Sequence, residues 1–325
     1  MSRILRYVGP VVVLLIFTGA MWLLYRELKQ YRWTDIRDAL QAVPPRQIWL
    51  ALALTFVNYA ILVGYDYLAV RFIGHPLPLR KIALASFCGY VISYNFGALL
   101  GGTSVRYRLY SAWGLSNFEI AKLLAVVGLT FWIGLFALAG AVFVIAPFPM
   151  PPMLKMMFSD VRPLGYFLLA LVAGYLAITG FWKQPISYRK WNITLPTFQL
   201  SIYQILIASV DLLVAAAVLY VLLPKSTGME FAEFVGIYLL AQVAVLFTHV
   251  PGGVGILESV ILMLVAPDDS RFLLASLLIF RMIYYILPLI VAALMLAIHE
   301  AILKQHEIRQ FFGAKPSVKT GSRVE

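Results

Sequence analysis

The sequence predicts an all-α, polytopic helical membrane protein, and three observations carry that prediction. The chain is 62% hydrophobic and only 13% charged, too apolar for a water-soluble domain of 325 residues. Runs able to cross about 30 Å of hydrocarbon recur along it. Paired glycines interrupt the apolar pattern twice, at Gly101-Gly102 and at Pro251-Gly252-Gly253-Val254-Gly255. Broken backbone and charged side chains persist at bilayer depth only when buried in protein or lining a polar cavity. The two breaks are therefore the first places to look for function.

Taken in order, the spans fall at 8–25, 48–72, 82–100, 123–147, 164–182, 200–223, 231–249 and 272–299, about eight crossings. The first follows Arg3 and Arg6, but it is too long, and its end too bulky, for a cleaved signal. Thr34 is placed to cap a short interfacial helix over 35–43, which stops before Pro44-Pro45. The stretch 183–196, with Arg189, Lys190 and Trp191, has the composition of a headgroup-level loop. Segments 104–121 and 255–267 are amphipathic or too short to span alone and read as re-entrant or half helices. Residues 1–310 form a single transmembrane domain, and 311–325 form a polar tail with disorder expected near its end.

A net charge of +11 would suggest nucleic acid in a soluble protein; scattered over loops and tail of a membrane protein, it points to anionic phospholipid headgroups instead. Lone Cys88 excludes an intrachain disulfide. Lys and Arg counted on alternate sides of eight crossings come out nearly equal, so the positive-inside rule sets no orientation. The basic tail and the Arg3/Arg6 pair place both termini in the cytoplasm. An Asp within an apolar run precedes each break, Asp66 and then Asp211, which marks a weak internal repeat. Transporters are built from such repeats around a midplane site. Parallel and inverted order both remain open.

At the second break a helix ends at His249-Val250-Pro251 and the next begins at Gly255, so unpaired N–H groups face the interior. Such a terminus attracts phosphate or carboxylate, and Glu258 sits in its first turn. The competing account of Gly252, Gly253 and Gly255 is close helix packing. At the first break, Thr103 and Ser104 supply a hydroxyl-bearing cap beside Gly101 and Gly102, and Arg106 and Arg108 follow. Arg suits bidentate phosphate contacts, although residues two apart on a helix face different ways, and either Arg can instead snorkel to the headgroups. Arg106 shares a face with Tyr110, and Asp66 with Tyr59. Arg281 lies near the middle of the last span, with Tyr284 and Tyr285 a turn further on. An isolated charge at the bilayer centre costs roughly 2.5–3.5 kcal/mol, so Asp66, Asp211 and Arg281 are expected to pair, as a structural bridge or in substrate or proton handling. His249 and Gln242, seven apart, form either a polar stripe or part of a satisfied interior. No pattern points to a P-loop, a metal cluster or a hydrolase elbow, so neither a cofactor nor a metal is expected.

Three stretches in this order carry a family resemblance: Phe96-Gly97 through Gly101-Gly102 to Val105-Arg106-Tyr107-Arg108; His249-Val250-Pro251-Gly252-Gly253-Val254-Gly255-Ile256-Leu257-Glu258; and Phe280-Arg281-Met282-Ile283-Tyr284-Tyr285. Together they resemble the transmembrane region of lysylphosphatidylglycerol synthases, and more closely the stand-alone bacterial inner-membrane proteins of the YbhN type. The resemblance implies a flippase-like domain without the aminoacyl-transferase domain, hence a non-enzymatic, multi-pass protein of the bacterial inner membrane. On that basis an anionic phospholipid, cardiolipin or a phosphatidylglycerol derivative, is the expected ligand. It would lie between the glycine breaks, with Arg106, Arg108, Arg281 and Tyr285 at its phosphate. Glu258 belongs to the same binding set and, with Asp66 or Asp211, is expected to take up protons or contact a headgroup amine; Asp66, Asp211 and His249 are left for protons or ion pairs. Two rival expectations are a proton-coupled transporter of a small soluble solute and a non-transporting partner of a lipid-modifying enzyme.

Overall fold

Hydrocarbon offers no partner to a backbone N–H or C=O, and the chain answers with helices. The computed structural model describes residues 43–97, 101–147, 160–182, 186–188, 191–193, 195–224, 228–248, 251–265 and 270–313. The expected span 8–25, the connector helix 35–43 and His249 lie outside the described residues, Val43 excepted. The helices are α1 (Pro45–Ile73), α2 (Leu79–Phe96), α3 (Thr103–Ala112), α4 (Asn117–Ile145), α5 (Arg162–Phe181), α6 (Phe198–Leu222), α7 (Phe231–Thr248), α8 (Ile256–Val265), α9 (Ser270–Arg281) and α10 (Leu287–Gly313). A π-helical turn, Met282–Ile286, joins α9 to α10. The expected headgroup loop contains a two-stranded antiparallel ribbon, Ile186–Tyr188 with Trp191–Ile193. Six of the described helical stretches are long and apolar enough to cross a membrane, so this is a polytopic helical membrane protein.

Each remaining expected span is helical, but the path of the chain refines the picture of simple crossings. Helix α2 runs inward and ends at Gly97 (φ 91°), a left-handed position that suits glycine. The chain then returns as α3. Trp113, just past the end of α3, lies 5.5 Å from the Lys81 ammonium at the start of α2, so both legs begin and end at one face of the bundle. The segment expected as one half helix over 104–121 is thus two elements. Helix α3 stops at Ala112, Gly114 takes φ 98°, and Ser116 opens α4 with a capping box to Glu119.

Helices α7 and α8 form the matching hairpin from the opposite face. The Tyr220 ring near the end of α6 packs on Phe231 at the start of α7, and Ser276 of α9 donates to the Leu222 carbonyl at the same end. Helix α8 therefore runs back towards the face that α7 left. Its tip, the 3-10 turn Pro251–Gly253, reaches α2, where the Asn95 carbonyl would stand 3.5 Å from a Cβ added at Gly252.

Two re-entrant hairpins thus enter from opposite faces and meet inside the bundle. The helices that precede them, α1 and α6, are antiparallel: Asn58 bonds Asp211, and Gly64 lies against Ile207. The repeat is accordingly inverted, each copy consisting of a spanning helix, a hairpin and a second spanning stretch, α4 in one and α9–α10 in the other. Two apolar clusters back it. One gathers Leu212, Leu219, Phe234, Tyr238, Leu257 and Phe280; the other Leu62, Tyr65, Val91, Tyr110, Leu123 and Ala292.

Candidate functional site at the meeting hairpins

The site is built from three carboxylates and two guanidiniums, and their pairing differs from the sequence expectation. Asp66, Asp211 and Arg281 do not form one bridge. Asp66 on α1 is held by Arg106 of the first hairpin, with Nε to Oδ1 and Nη2 to Oδ2 both at 3.0 Å. Tyr110 Oη adds a bond to Oδ1 at 2.9 Å. The i, i+4 spacing on α3 brings Arg106 and Tyr110 to the same carboxylate. Tyr59, expected beside Asp66, instead donates to the Tyr284 carbonyl at 3.1 Å. Arg106 also stacks over the Tyr90 ring, 4.2 Å from its centre. Gly89 makes room for it: a Cβ there would stand 2.9 Å from Arg106 Cζ. Asp66 is fully buried and Arg106 nearly so, which makes the bidentate geometry a condition of burying the charges at all.

Arg281 takes Glu258 as its partner. Its Nε and Nη2 bond the two carboxylate oxygens, the second at 2.9 Å. The same guanidinium donates to the carbonyls of Gly252 (3.1 Å) and Gly253 (3.2 Å), groups freed by the helix break. Glu258 Oε2 in turn accepts from the Gly255 N–H at 2.9 Å. The positive end of α8 therefore already holds an anion, the protein's own carboxylate. The Tyr285 ring lies 5.6 Å from Arg281 Cζ. Gly252, Gly253 and Gly255 have φ of 69°, 58° and 81°, so this diglycine is a true backbone break.

The first diglycine differs. Gly102 has φ −67°, within the helical range, and serves as N-cap of α3. A Cβ at Gly101 would press on Ile92, and one at Gly102 on Ser93 and the Gly89 carbonyl. Here close helix packing accounts for both glycines. Arg108, half-buried, does not join Arg106 at Asp66.

Asp211 on α6 has no guanidinium partner among the described residues. Asn58 Nδ2 donates both to its Oδ1 and to its backbone carbonyl, each at 2.8 Å, and Tyr65 Oη bonds its Oδ2 at 2.7 Å. Tyr284 Oη donates to Asn58 Oδ1 at 2.6 Å and fixes the amide. Sequence reading missed Asn58 and Tyr65; their seven-residue spacing on α1 was the available signal. It also missed Asn95, whose amide caps the Val91 carbonyl at 2.8 Å and reaches the Tyr285 carbonyl at 3.4 Å, inside the π-helical turn. Tyrosines fill the space between: Tyr59, Tyr90, Tyr94, Tyr284 and Tyr285 have neighbouring ring centres 5.2–6.3 Å apart or pack on Phe87 and Phe280 at similar range. Among the described residues no group of three His, Cys, Asp or Glu could hold a metal ion.

Fold and site together define an inverted-repeat membrane protein whose paired re-entrant hairpins bring buried ion pairs into the interior of the bundle. No family model matches the chain. An uncharacterised Synechocystis protein, slr0712, is 40% identical over 89% of this chain and 90% of its own length. The Escherichia coli inner membrane protein YbhN is 30% identical over 88% of this chain and 91% of its own length. The chain belongs to the family of YbhN-type inner membrane proteins. A phosphatidylglycerol lysyltransferase of Staphylococcus haemolyticus is 23% identical over 90% of this chain, which spans about a third (34%) of that protein.

Proposed function

We propose that the protein binds an anionic phospholipid of the phosphatidylglycerol or cardiolipin type between the hairpin tips and passes it between leaflets, without enzymatic turnover. The observation that carries this reading is the carboxylate of Glu258 seated on the amide end of α8 and gripped by Arg281. That seat accepts one anionic group at mid-depth, and a lipid phosphate is the same kind of acceptor for a planar guanidinium. In transit the phosphate exchanges with Glu258 on Arg281 while the acyl chains stay in lipid. The similarity to a protein named for phosphatidylglycerol supports the choice of headgroup.

Orientation follows from the hairpins. The face where α2 begins carries Arg71, Arg80, Lys81 and Lys122 against Glu119; the opposite face carries Arg46 and Arg162 against Asp160, Glu230 and Glu233. Among the described residues the face where α2 begins is the more basic, and the positive-inside rule supports reading it as cytoplasmic. His299 of α10 packs edge-on against Trp113 at the same face, which supports a cytoplasmic side for the end of that helix.

Reconstitution in liposomes with fluorescent phosphatidylglycerol and an impermeant quencher tests this reading. Wild type is expected to exchange the lipid and Arg281→Ala to lose exchange. No exchange by wild type, or undiminished exchange in folded Arg281→Ala and Glu258→Gln proteins, overturns it. Uptake of a soluble solute by the same vesicles would favour a solute transporter.

A further inference from the structure

We infer that Asp211 is a proton-binding site, holding and releasing a proton in the membrane interior, whereas the other two buried carboxylates, Asp66 and Glu258, are held in ion pairs in this structure. The inverted repeat frames the contrast. In one copy the hairpin returns an arginine, Arg106, to the Asp of the preceding spanning helix. In the other copy the hairpin's charge is Glu258, which takes its guanidinium from Arg281. Asp211, the counterpart of Asp66, is left without one.

Its direct hydrogen-bond partners are polar but neutral, and the Arg106–Asp66 pair lies beyond Tyr90. Helix α1 faces it with Asn58 and Tyr65, and the π-helical turn backs Asn58 with Tyr284. Helix α2 adds Tyr90, whose ring lies 5.7 Å from that of Tyr65 and whose hydroxyl has no hydrogen-bond partner among the described residues, and Tyr94 beyond it. Helix α4 places Gly134 against Ala208, one turn before Asp211, and hydroxylic Thr130 near Gln204. Helix α7 contributes Tyr238, bonded to Gln242. Asp66, the nearest acid on α1, is turned to Arg106. Among the described residues no Lys, Arg or His comes within ion-pair distance of Asp211, which is 2% exposed.

A buried carboxylate with no counter-ion settles its charge by taking up a proton. Tyr65 makes both states tenable: its hydroxyl donates to the ionised carboxylate and, after rotating, accepts from the protonated one. Asn58 cannot exchange roles, because Tyr284 pins its carbonyl oxygen. The proton therefore sits on Oδ2, towards Tyr65.

This inference stands apart from lipid movement, and its test uses none. Infrared difference spectra of the full chain in detergent, recorded across a pH series, read the carbonyl stretch of a protonated carboxylic acid directly. One such band is expected, growing as pH falls, absent in Asp211→Asn and present in Glu258→Gln. In Tyr65→Phe, which preserves volume, the band is expected to persist at higher frequency for want of its hydrogen bond. A band that survives in folded Asp211→Asn, that is indifferent to Tyr65→Phe, or that is missing from wild type at every pH overturns the assignment.

Discussion

Removing Arg106 tests the energetics of the first hairpin most sharply. In the wild type Asp66 accepts two guanidinium bonds at 3.0 Å and one from Tyr110 at 2.9 Å, at zero exposure. Arg106→Met leaves an ionised or newly protonated acid with one donor of three and strips the cation from the Tyr90 ring. Breaking a buried pair from one side costs about 3–5 kcal/mol, roughly a hundred- to several-thousand-fold in the unfolding equilibrium. Asp66→Leu should cost a similar amount, since it strands the guanidinium. The double variant Asp66→Leu/Arg106→Met should lie closer to wild type than either single one, because no buried charge remains. Titration with a denaturing detergent, followed by tryptophan fluorescence, gives the four free energies of the cycle. Additive losses in the two single variants would refute the reasoning.

Four further predictions concern glycines. Gly89→Ala should push the guanidinium off Asp66 and cost about 1–3 kcal/mol, as overpacking does; the same titration reads it, and the loss should shrink in the Asp66→Leu/Arg106→Met background. Gly134→Ala should cost about 1–3 kcal/mol, since its Cβ would overlap that of Ala208 between α4 and α6. Gly128→Ala on the same helix, with nothing within 4 Å of the added Cβ, should be neutral or stabilising by up to about 1 kcal/mol. Gly252→Ala should lose about 1–2 kcal/mol to its left-handed backbone, and Gly252→Asn less; thermal unfolding in detergent ranks the two.

Much of this molecule is legible in its sequence because hydrocarbon imposes so narrow a choice. Every expected span within the described residues is helical, and the second diglycine with Glu258 reads correctly as a helix restarting in the interior. Pairing was harder to read. Arg281 meets Glu258 across 23 residues and a turn, and Asp66 meets Arg106 across a hairpin whose return only the fold decides. Composition cannot separate a crossing helix from the leg of a hairpin: α7 has the length and hydropathy of a span, yet the chain doubles back after it. Nor does a glycine pair disclose its role. Gly101-Gly102 and Gly252-Gly253 look alike in sequence, but one relieves packing and the other takes positive φ, a difference set by what each meets in space.

Impermeant-thiol labelling in oriented vesicles bears most directly on the paired hairpins. In a Cys88→Ala background, single cysteines replace Arg80 and Ser116, which flank the first hairpin, and Glu230 and Ser270, which flank the second. Positions 80 and 116 are expected to label from the same face, and 230 and 270 from the opposite one. Labelling of 80 and 116 from different faces, or of 230 and 270 from different faces, would mean that a hairpin leg crosses the membrane, and the meeting of two re-entrant tips would be contradicted.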